Sequence, residues 1–341
     1  MTRELPVSVI VLCWNSRQRI GDCLESLLAL ESPAAELIVV DNASSDETLA
    51  FVRGSFPGVS VVALDRNCGY AAGNNAGARV ARGKYLAFLN DDTQVDTRWL
   101  SALVAAAEAD PSVGLVTSQI VYRDRPDVLD SAGDGYLRSG GAFKHHHGQP
   151  VNDAPATREV FGACGAGFLV RSELFTSLGG FDEDFFMVYE DVDLSYRARL
   201  RGAECRYAAA ALVYHAGSAS IGWASPRQVF FGQRNLEWCW IKNSPSRLLW
   251  RSAPSHLMYG IASAIGYARQ GRLTTWFRAK LAAVAGLPRM LRKRRQIQRT
   301  LTADPERLWA LMERNWMAIK RREKRFDFNH SSVSPRPTRS V

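Results

Sequence analysis

Apolar residues in the first ninety positions fall into short runs, separated by stretches in which they recur every three or four residues. Residues 7–12, 37–40, 59–64 and 85–89 are such runs; they are too short for helices and rich in β-branched side chains, so they predict buried strands. Between them residues 20–30, 48–56 and 70–81 carry a helical spacing. Strands alternating with segments of crossover length predict an α/β fold, a parallel sheet covered by helices on both faces. Ligands bind such sheets beyond the carboxyl ends of the strands. Three predicted strand ends are polar here: Cys13-Trp14-Asn15, Asp41-Asn42-Ala43-Ser44 and Asn90-Asp91-Asp92.

Further along, the spacing predicts a helix over 97–109 and a strand over 113–120. Residues 122–158 are rich in Gly, Asp, Pro and His without a period, which predicts a long functional loop. Regular structure resumes over 160–170, passes through an acidic stretch at 181–193, and closes with a helix at 194–201 and a strand at 206–214 that ends at His215. Beyond Pro226 the pattern is mostly helical. These readings divide the chain into a catalytic domain at 1–245, a basic amphipathic helical extension at 246–326 and a disordered tail at 327–341.

Charge sharpens this division. The net charge of +9 comprises +16 from residue 247 onward and −7 before it, so a basic segment follows an acidic body and predicts an anionic partner for that segment. Cys13, Cys23, Cys68, Cys164, Cys205 and Cys239 show no paired spacing, which predicts reduced thiols in a cytosolic compartment. The first residues lead directly into a strand pattern, so no secretory signal is expected. Residues 253–268 are interrupted by His256 and fall short of the ~20 residues of a spanning helix, so no transmembrane helix is expected.

Asp91 and Asp92 place two carboxylates at a strand end, where a divalent cation is the natural counter-charge and a ligand diphosphate its other partner. The same residues could simply open a turn and cap the next helix. Asp41, at the end of a buried strand, needs a partner such as a base or ribose donor, while Ser44 and Glu47 fit a capping box. Six carboxylates among apolar residues at 181–193 should raise at least one pKa and favour a proton acceptor; a helix start near Glu190 explains part of this acidity. Three consecutive histidines, His145 to His147, rarely reach one ion, and a solvated loop on the acceptor side is the better reading.

The order of these pieces carries a resemblance. Trp14-Asn15, then 39–46 (VVDNASSD), 67–75 (NCGYAAGNN), 88–92 (FLNDD), 179–183 (GGFDE), Phe186, 190–194 (EDVDL) and His215 together resemble the inverting family 2 glycosyltransferases of GT-A fold, in particular the bacterial rhamnosyltransferase-like branch. The resemblance spans about 7–242. It implies a GT-A-like, Rossmann-like, mostly parallel central sheet flanked by helices, with a C-terminal helical extension. It implies Asp41 on a uracil or thymine base, Trp14 beside the ring, Arg66 or Asn67 on the nucleotide, Asn15 and Asn74 on the donor side and Asp91 near the ribose. Asp92 and His215 would hold Mg2+ or Mn2+, Asp191 beside Glu190 would be the general base, and Asp182 and Phe186 would face the acceptor. Asn90 departs from the family's Asp-x-Asp pattern by standing where the first Asp would be.

The resemblance further implies an EC 2.4 hexosyltransferase moving a sugar, dTDP-rhamnose being the first choice of donor and a UDP-hexose or UDP-galactofuranose the alternative, to a glycan or lipid-linked glycan in cell-surface polysaccharide assembly. A degenerate nucleotide-binding scaffold is the alternative of another class. A sugar nucleotidyltransferase would want a Gly-rich basic loop near the N-terminus, and there is none. The C-terminal segment interleaves Trp250, Trp276 and Phe277 with arginines, which predicts peripheral contact with an anionic membrane at its cytoplasmic face. Nucleic acid is not an expected partner, for no recognised module is present. Nothing in the sequence addresses the oligomeric state.

Overall fold

In the computed structural model, residues 4–217 and 225–331 are described. The elements in chain order are β1 (Leu5–Cys13), α1 (Ile20–Leu28), β2 (Ala34–Asp41), α2 (Thr48–Ser55), β3 (Ser60–Ala63), α3 (Gly69–Val80), β4 (Tyr85–Asn90), β5 (Thr93–Val95), α4 (Trp99–Glu108), β6 (Val113–Tyr122), β7 (Leu129–Ser131), β8 (Asp134–Tyr136), β9 (Ala142–Lys144), β10 (Arg158–Val160), β11 (Gly167–Arg171), α5 (Ser172–Ser177), α6 (Glu190–Leu200) and β12 (Glu204–His215). Then follow α7 (Pro226–Asn243), α8 (Ser246–Arg269), α9 (Leu273–Ala285), α10 (Leu287–Arg299), α11 (Pro305–Leu311) and α12 (Trp316–Ser331). α12 thus enters the stretch expected to be tail; residues 332–341 lie outside the described residues.

The central sheet has the order β10-β12-β6-β11-β4-β1-β2-β3. β3, β2, β1 and β4 are parallel neighbours, as are β6 and β12, whereas β11 runs antiparallel between β4 and β6. The fold is therefore α/β with a mostly parallel sheet, in which β11 is reversed in the middle and β10, β5 and β7 pair antiparallel toward the β12 end. Register makes the strand ends level: Cys13 faces Asp41, and Leu12 faces Asn90. Three polar loops accordingly meet at one edge. α1 and α4 bury Leu24, Leu27, Trp99 and Leu103 on one face of the sheet, while α3, α5 and α6 cover the other around Phe88, Phe168, Phe175 and Phe181. Each such fully buried side chain contributes roughly 1.5–3 kcal/mol of transfer free energy. α3 lies directly on β1 because Gly73 and Gly77 face it; a Cβ at Gly73 would stand 2.4 Å from Leu12 Cδ1.

A third apolar cluster, with Phe185, Tyr196, Trp238, Met290 and Trp309, joins the C-terminal helices to the body. The 122–158 stretch is not the open loop its composition suggested. It carries β7, β8, β9 and β10, and Leu129, Asp130, Ser131, Asp134, Tyr136 and His147 in it are buried. Its Asp130 finds Lys144, His147 and His215 inside the fold, which no local pattern records. The capping box is also replaced: Thr48 N–H donates to Asp46 Oδ1 (3.0 Å), and Ser44 Oγ instead accepts from Asn15 N–H (2.9 Å). All six cysteines are unpaired. No helix among the described residues is long and apolar enough to cross a membrane.

Candidate active site

A cleft of about 490 Å3 opens at the level strand ends, lined among others by Leu12, Trp14, Arg19, Asn42, Asn67, Tyr70, Asn90, Asp91, Phe186 and Arg227. Trp14, just past β1, is more than one-third exposed at its mouth. Asn15 adopts φ 51°, and its Oδ1 accepts from the Ser45 N–H (2.8 Å), tying the first strand-end loop to the second. Asp41 is buried at the end of β2; it accepts from the Ser44 N–H at 3.2 Å, and its neighbour Asn42 is the residue that reaches the cleft. Asn67 Oδ1 accepts from Gly69 N–H and Asn42 Nδ2, which shapes the turn into α3. Arg66 is exposed beside it. Asn74 is buried on α3, donates to the Tyr70 carbonyl, and leaves Oδ1 without a partner.

Asp91 is buried and is held by Ser16 Oγ and by Arg19, whose Nη2 lies 3.2 Å from Oδ2. Burial raises the Asp91 carboxyl, Arg19 opposes this and Asp92 adds to it, for a net upward shift. β5 turns back from this loop and pairs antiparallel with the end of β12, His215 against Thr93, and the Ala216 N–H donates to the Asp92 carbonyl. This pairing carries His215 to Asp92, where Nε2 stands 3.4 Å from an Oδ1 that has no hydrogen-bond partner. The other ring nitrogen, Nδ1, lies 2.8 Å from Oδ2 of the buried Asp130, whose Oδ1 accepts from Lys144 Nζ at 2.7 Å. Burial alone would lower the His215 pKa, but the two carboxylates raise it to about 9. Burial likewise disfavours the Asp92 anion, yet His215 holds its pKa below the ordinary value.

That donor set fits a divalent cation. A buried carboxylate oxygen without a hydrogen-bond partner beside an imidazole, itself oriented by a second carboxylate, is the arrangement of a metal-ligating histidine. Among the described residues no group of three or more His, Cys, Asp or Glu forms a closed cage. Asp92 and His215 alone would leave positions on such a cation for a ligand diphosphate.

Asp191 sits on the first turn of α6, with Oδ2 accepting from the Gly165 N–H (2.8 Å) and Oδ1 from the Val192 N–H (2.7 Å). Gly165 also accepts from the hydroxyl of the cleft residue Tyr70 (2.7 Å), which links Asp191 to the cleft. Burial raises the Asp191 carboxyl against its backbone donors. Glu190 is shifted further upward by burial and by Asp191, and its Oε2 has no hydrogen-bond partner. The loop before α6 is strained, with φ of 64° at Phe186, 65° at Val188 and 78° at Tyr189. Asn235 of α7 clamps it by donating Nδ2 to the carbonyls of Phe185, Met187 and Val188. Phe186 stacks on Phe231 (5.2 Å) and lies against Gly69. Asp182 is half-buried, with its side chain only 7% exposed, and commits its oxygens to Lys242 and Lys293, while His145, His146 and His147 contact Phe143, Gln149 and Asp130 respectively.

The sequence reading therefore found Trp14, Asn67, Asp91 and Phe186 of the cleft, and the Asp92 and His215 pair beside it. It missed Arg19 and Arg227, the latter over the Trp14 and Phe186 rings at 6.0 and 5.4 Å, and it missed Asp130 and Asn235. Arg19 follows the Trp14-Asn15 strand end by one helical turn and was legible as a cation near a strand end; Asp130 and Asn235 have no local signal.

Residues 8–179 match the family described as Glycosyl transferase family 2. The O-antigen biosynthesis protein RfbC of Myxococcus xanthus is 31% identical over 227 residues, covering 63% of this chain and 17% of that protein. The chain spans about a fifth of the length of the curated relatives of this kind that it matches. Among solved structures, the mannosyltransferase PcManGT from Pyrobaculum calidifontis in complex with GDP-Man and Mn2+ superposes with a TM-score of 0.53 at 20% identity, covering 91% of this chain and 88% of that one. S. aureus TarS 1-349 in complex with UDP-GlcNAc gives 0.56 at 17% identity, covering 92% and 84%. These are likenesses of fold, and they agree with the GT-A-like arrangement that the order of motifs implied.

Proposed function

The chain belongs to glycosyl transferase family 2, and from that premise we propose that it moves a sugar from a nucleoside-diphosphate donor to a hydroxyl of a glycan or lipid-linked glycan, with inversion, in cell-surface polysaccharide assembly. The observation that carries this reading is the convergence at one sheet edge of a nucleotide-sized cleft, the Asp92 and His215 pair, and a carboxylate with a raised pKa, Asp191, joined to the cleft through Gly165 and Tyr70.

Trp14 and Asn67 hold the nucleoside, Arg19 and Arg227 offer charge to the phosphates, and Asp91 faces the ribose. A divalent cation, Mg2+ or Mn2+, held by Asp92 and His215 would supply counter-charge to the diphosphate. Asp191 accepts the proton of the acceptor hydroxyl as its oxygen bonds to the anomeric carbon; the bond to the phosphate oxygen breaks, and its electron pair leaves with the nucleoside diphosphate. A raised pKa suits this carboxylate to the task at neutral pH. We assign dTDP-rhamnose as donor on the resemblance of the motif order, with a UDP-hexose or UDP-galactofuranose as alternative, and the cytoplasmic face of an anionic membrane as the place of work.

Thermal-shift titration with UDP, dTDP, GDP and their sugars, with and without Mn2+ or Mg2+, tests the donor site. A cation-dependent shift with one pyrimidine nucleotide is expected, and no shift with any nucleotide overturns the reading. Asp191→Asn should abolish turnover and retain donor binding; loss of binding would remove Asp191 from the role of base.

A further inference from the structure

The helices α8 to α10 present a surface that the donor cleft does not explain. On α8, Trp250, Leu257, Ile261 and Ile265 recur at intervals of seven, four and four residues, so they share one face, and all are exposed, Trp250 by 77%. The opposite face of α8 buries Leu248 and His256, the latter stacked on Trp240 of α7 at 3.7 Å. α9 repeats the pattern: Leu273, Phe277, Leu281 and Val284 are exposed on one face, while Ala279 and Ala283 are buried, with the Ala283 carbonyl accepting from Trp238 Nε1 of α7. Both apolar stripes thus turn away from α7. They lead into a notch of about 450 Å3 between α9 and α10, lined by Val284, Leu287, Pro288 and Leu291 and by Arg292 and Arg295.

Charge decides what this surface fits. Residues 246–300 contain twelve lysines and arginines and no aspartate or glutamate. Some of these cations are used inside the fold: Lys280 on Glu237, and Arg289 and Lys293 on Asp182 and Asp184. Arg269, Arg272, Arg278, Arg292, Arg295 and Arg299 have no ion pair among the described residues. Exposed apolar stripes edged by unpaired arginines match the interfacial layer of an anionic bilayer, where apolar side chains enter the acyl boundary and guanidinium groups meet lipid phosphates. A second copy of the same face would oppose like charge to like charge. A nucleic-acid backbone would engage the arginines and leave the apolar stripes in water.

We propose that the α8–α10 face docks in the plane of an anionic phospholipid bilayer, with the notch between α9 and α10 receiving a lipid phosphate between Arg292 and Arg295. This deepens the membrane-side reading above but stands on a surface separate from the donor cleft.

The test is flotation of the full chain with phosphatidylglycerol-containing vesicles and with pure phosphatidylcholine vesicles, for the wild type, for Leu257→Asp/Ile261→Asp/Phe277→Asp and for Arg292→Ser/Arg295→Ser. The wild type should float with the anionic vesicles only, and each variant should lose at least about tenfold in partitioning while keeping its melting temperature. Failure of the wild type to float, or flotation unmoved by either set of substitutions, overturns the proposal. So does binding of a duplex or single-stranded oligonucleotide, or a dimer in size exclusion abolished by the apolar substitutions, when neither is accompanied by vesicle binding. Nucleotide thermal shifts on the same preparations report the donor site independently, so failure at the membrane face is distinguishable from failure of the transferase reading.

Discussion

Lys242→Met removes the cation around which the acidic stretch before α6 is organised. Lys242 is 1% exposed; its Nζ lies 2.5 Å from Asp182 Oδ2 and 2.7 Å from Asp193 Oδ1, 4.7 Å from the centroid of the Phe185 ring. Both carboxylates are buried. Asp193 keeps Arg197 and Asn243 as partners, and Asp182 keeps Lys293, so neither is wholly abandoned. Breaking one side of such a buried cluster costs roughly 3–5 kcal/mol, because a desolvated charge loses its neutralising partner. For a chain of 341 residues the unfolding entropy is about 0.7 kcal/mol/K, so the melting temperature should fall by about 4–7 °C.

The pH dependence gives the sign. Burial alone would raise the Asp182 carboxyl, but Lys242 and Lys293 hold it well below the usual carboxylate range. A carboxylate depressed in the folded state contributes stability that is present above its unfolded pKa, about 3.9, and is lost as pH falls through the folded value. The gap between wild type and Lys242→Met should therefore be constant from neutral pH to about pH 5 and narrow below about pH 4. Urea unfolding followed by circular dichroism at pH 7, 5 and 3.5 measures it. Adding Asp182→Asn to Lys242→Met should restore part of the loss, since the unpaired charge is then gone. A loss under about 1 kcal/mol at pH 7, or a gap unchanged at the lowest pH, refutes the electrostatic account.

Three further perturbations follow from the same geometry. Asn235→Ala strands the carbonyls of Met187 and Val188, each costing about 1–3 kcal/mol if left unpaired, while the Phe185 carbonyl keeps Arg234 Nη2 and the Met187 N–H, so the melting temperature and kcat should fall together; unchanged kcat would mean the strained loop holds without its clamp. Gly69→Ala places a methyl 2.4 Å from the Phe186 carbonyl at φ 84°, and calorimetry should find nucleotide binding weakened by at least about tenfold; wild-type affinity would show that the contact yields. Asp130→Asn removes the carboxylate that orients His215 and should weaken cation-dependent nucleotide binding by about 10–100-fold while leaving cation-independent binding intact; equal loss of both would reduce Asp130 to a folding role.

The first half of the chain was legible because its elements are local. Strands of four to nine residues with helices between them print a period on the sequence, and the polar residues at their ends stand at the carboxyl edge once the register of β1 with β2 and β4 levels them. The Asp91-Asp92 pair, Trp14 and the acidic start of α6 were readable for that reason. The reversal of β11 between β4 and β6 was not, because strand direction within a sheet leaves no mark on periodicity.

What the tertiary structure alone decided is which distant polar groups share one environment. His215 meets Asp92 only because β5 folds back onto the end of β12, and it meets Asp130 because a stretch without periodicity is packed inward rather than left in water. Asp182, which composition offered as one of six equivalent acids, is singled out by Lys242 from α7 and Lys293 from α10. Period and propensity act over a turn or a strand, whereas desolvation and ion pairing depend on the neighbours that folding assembles from far along the chain; the sequence by itself determined the elements and the edge where chemistry collects, and only the packing determined which charge answers which.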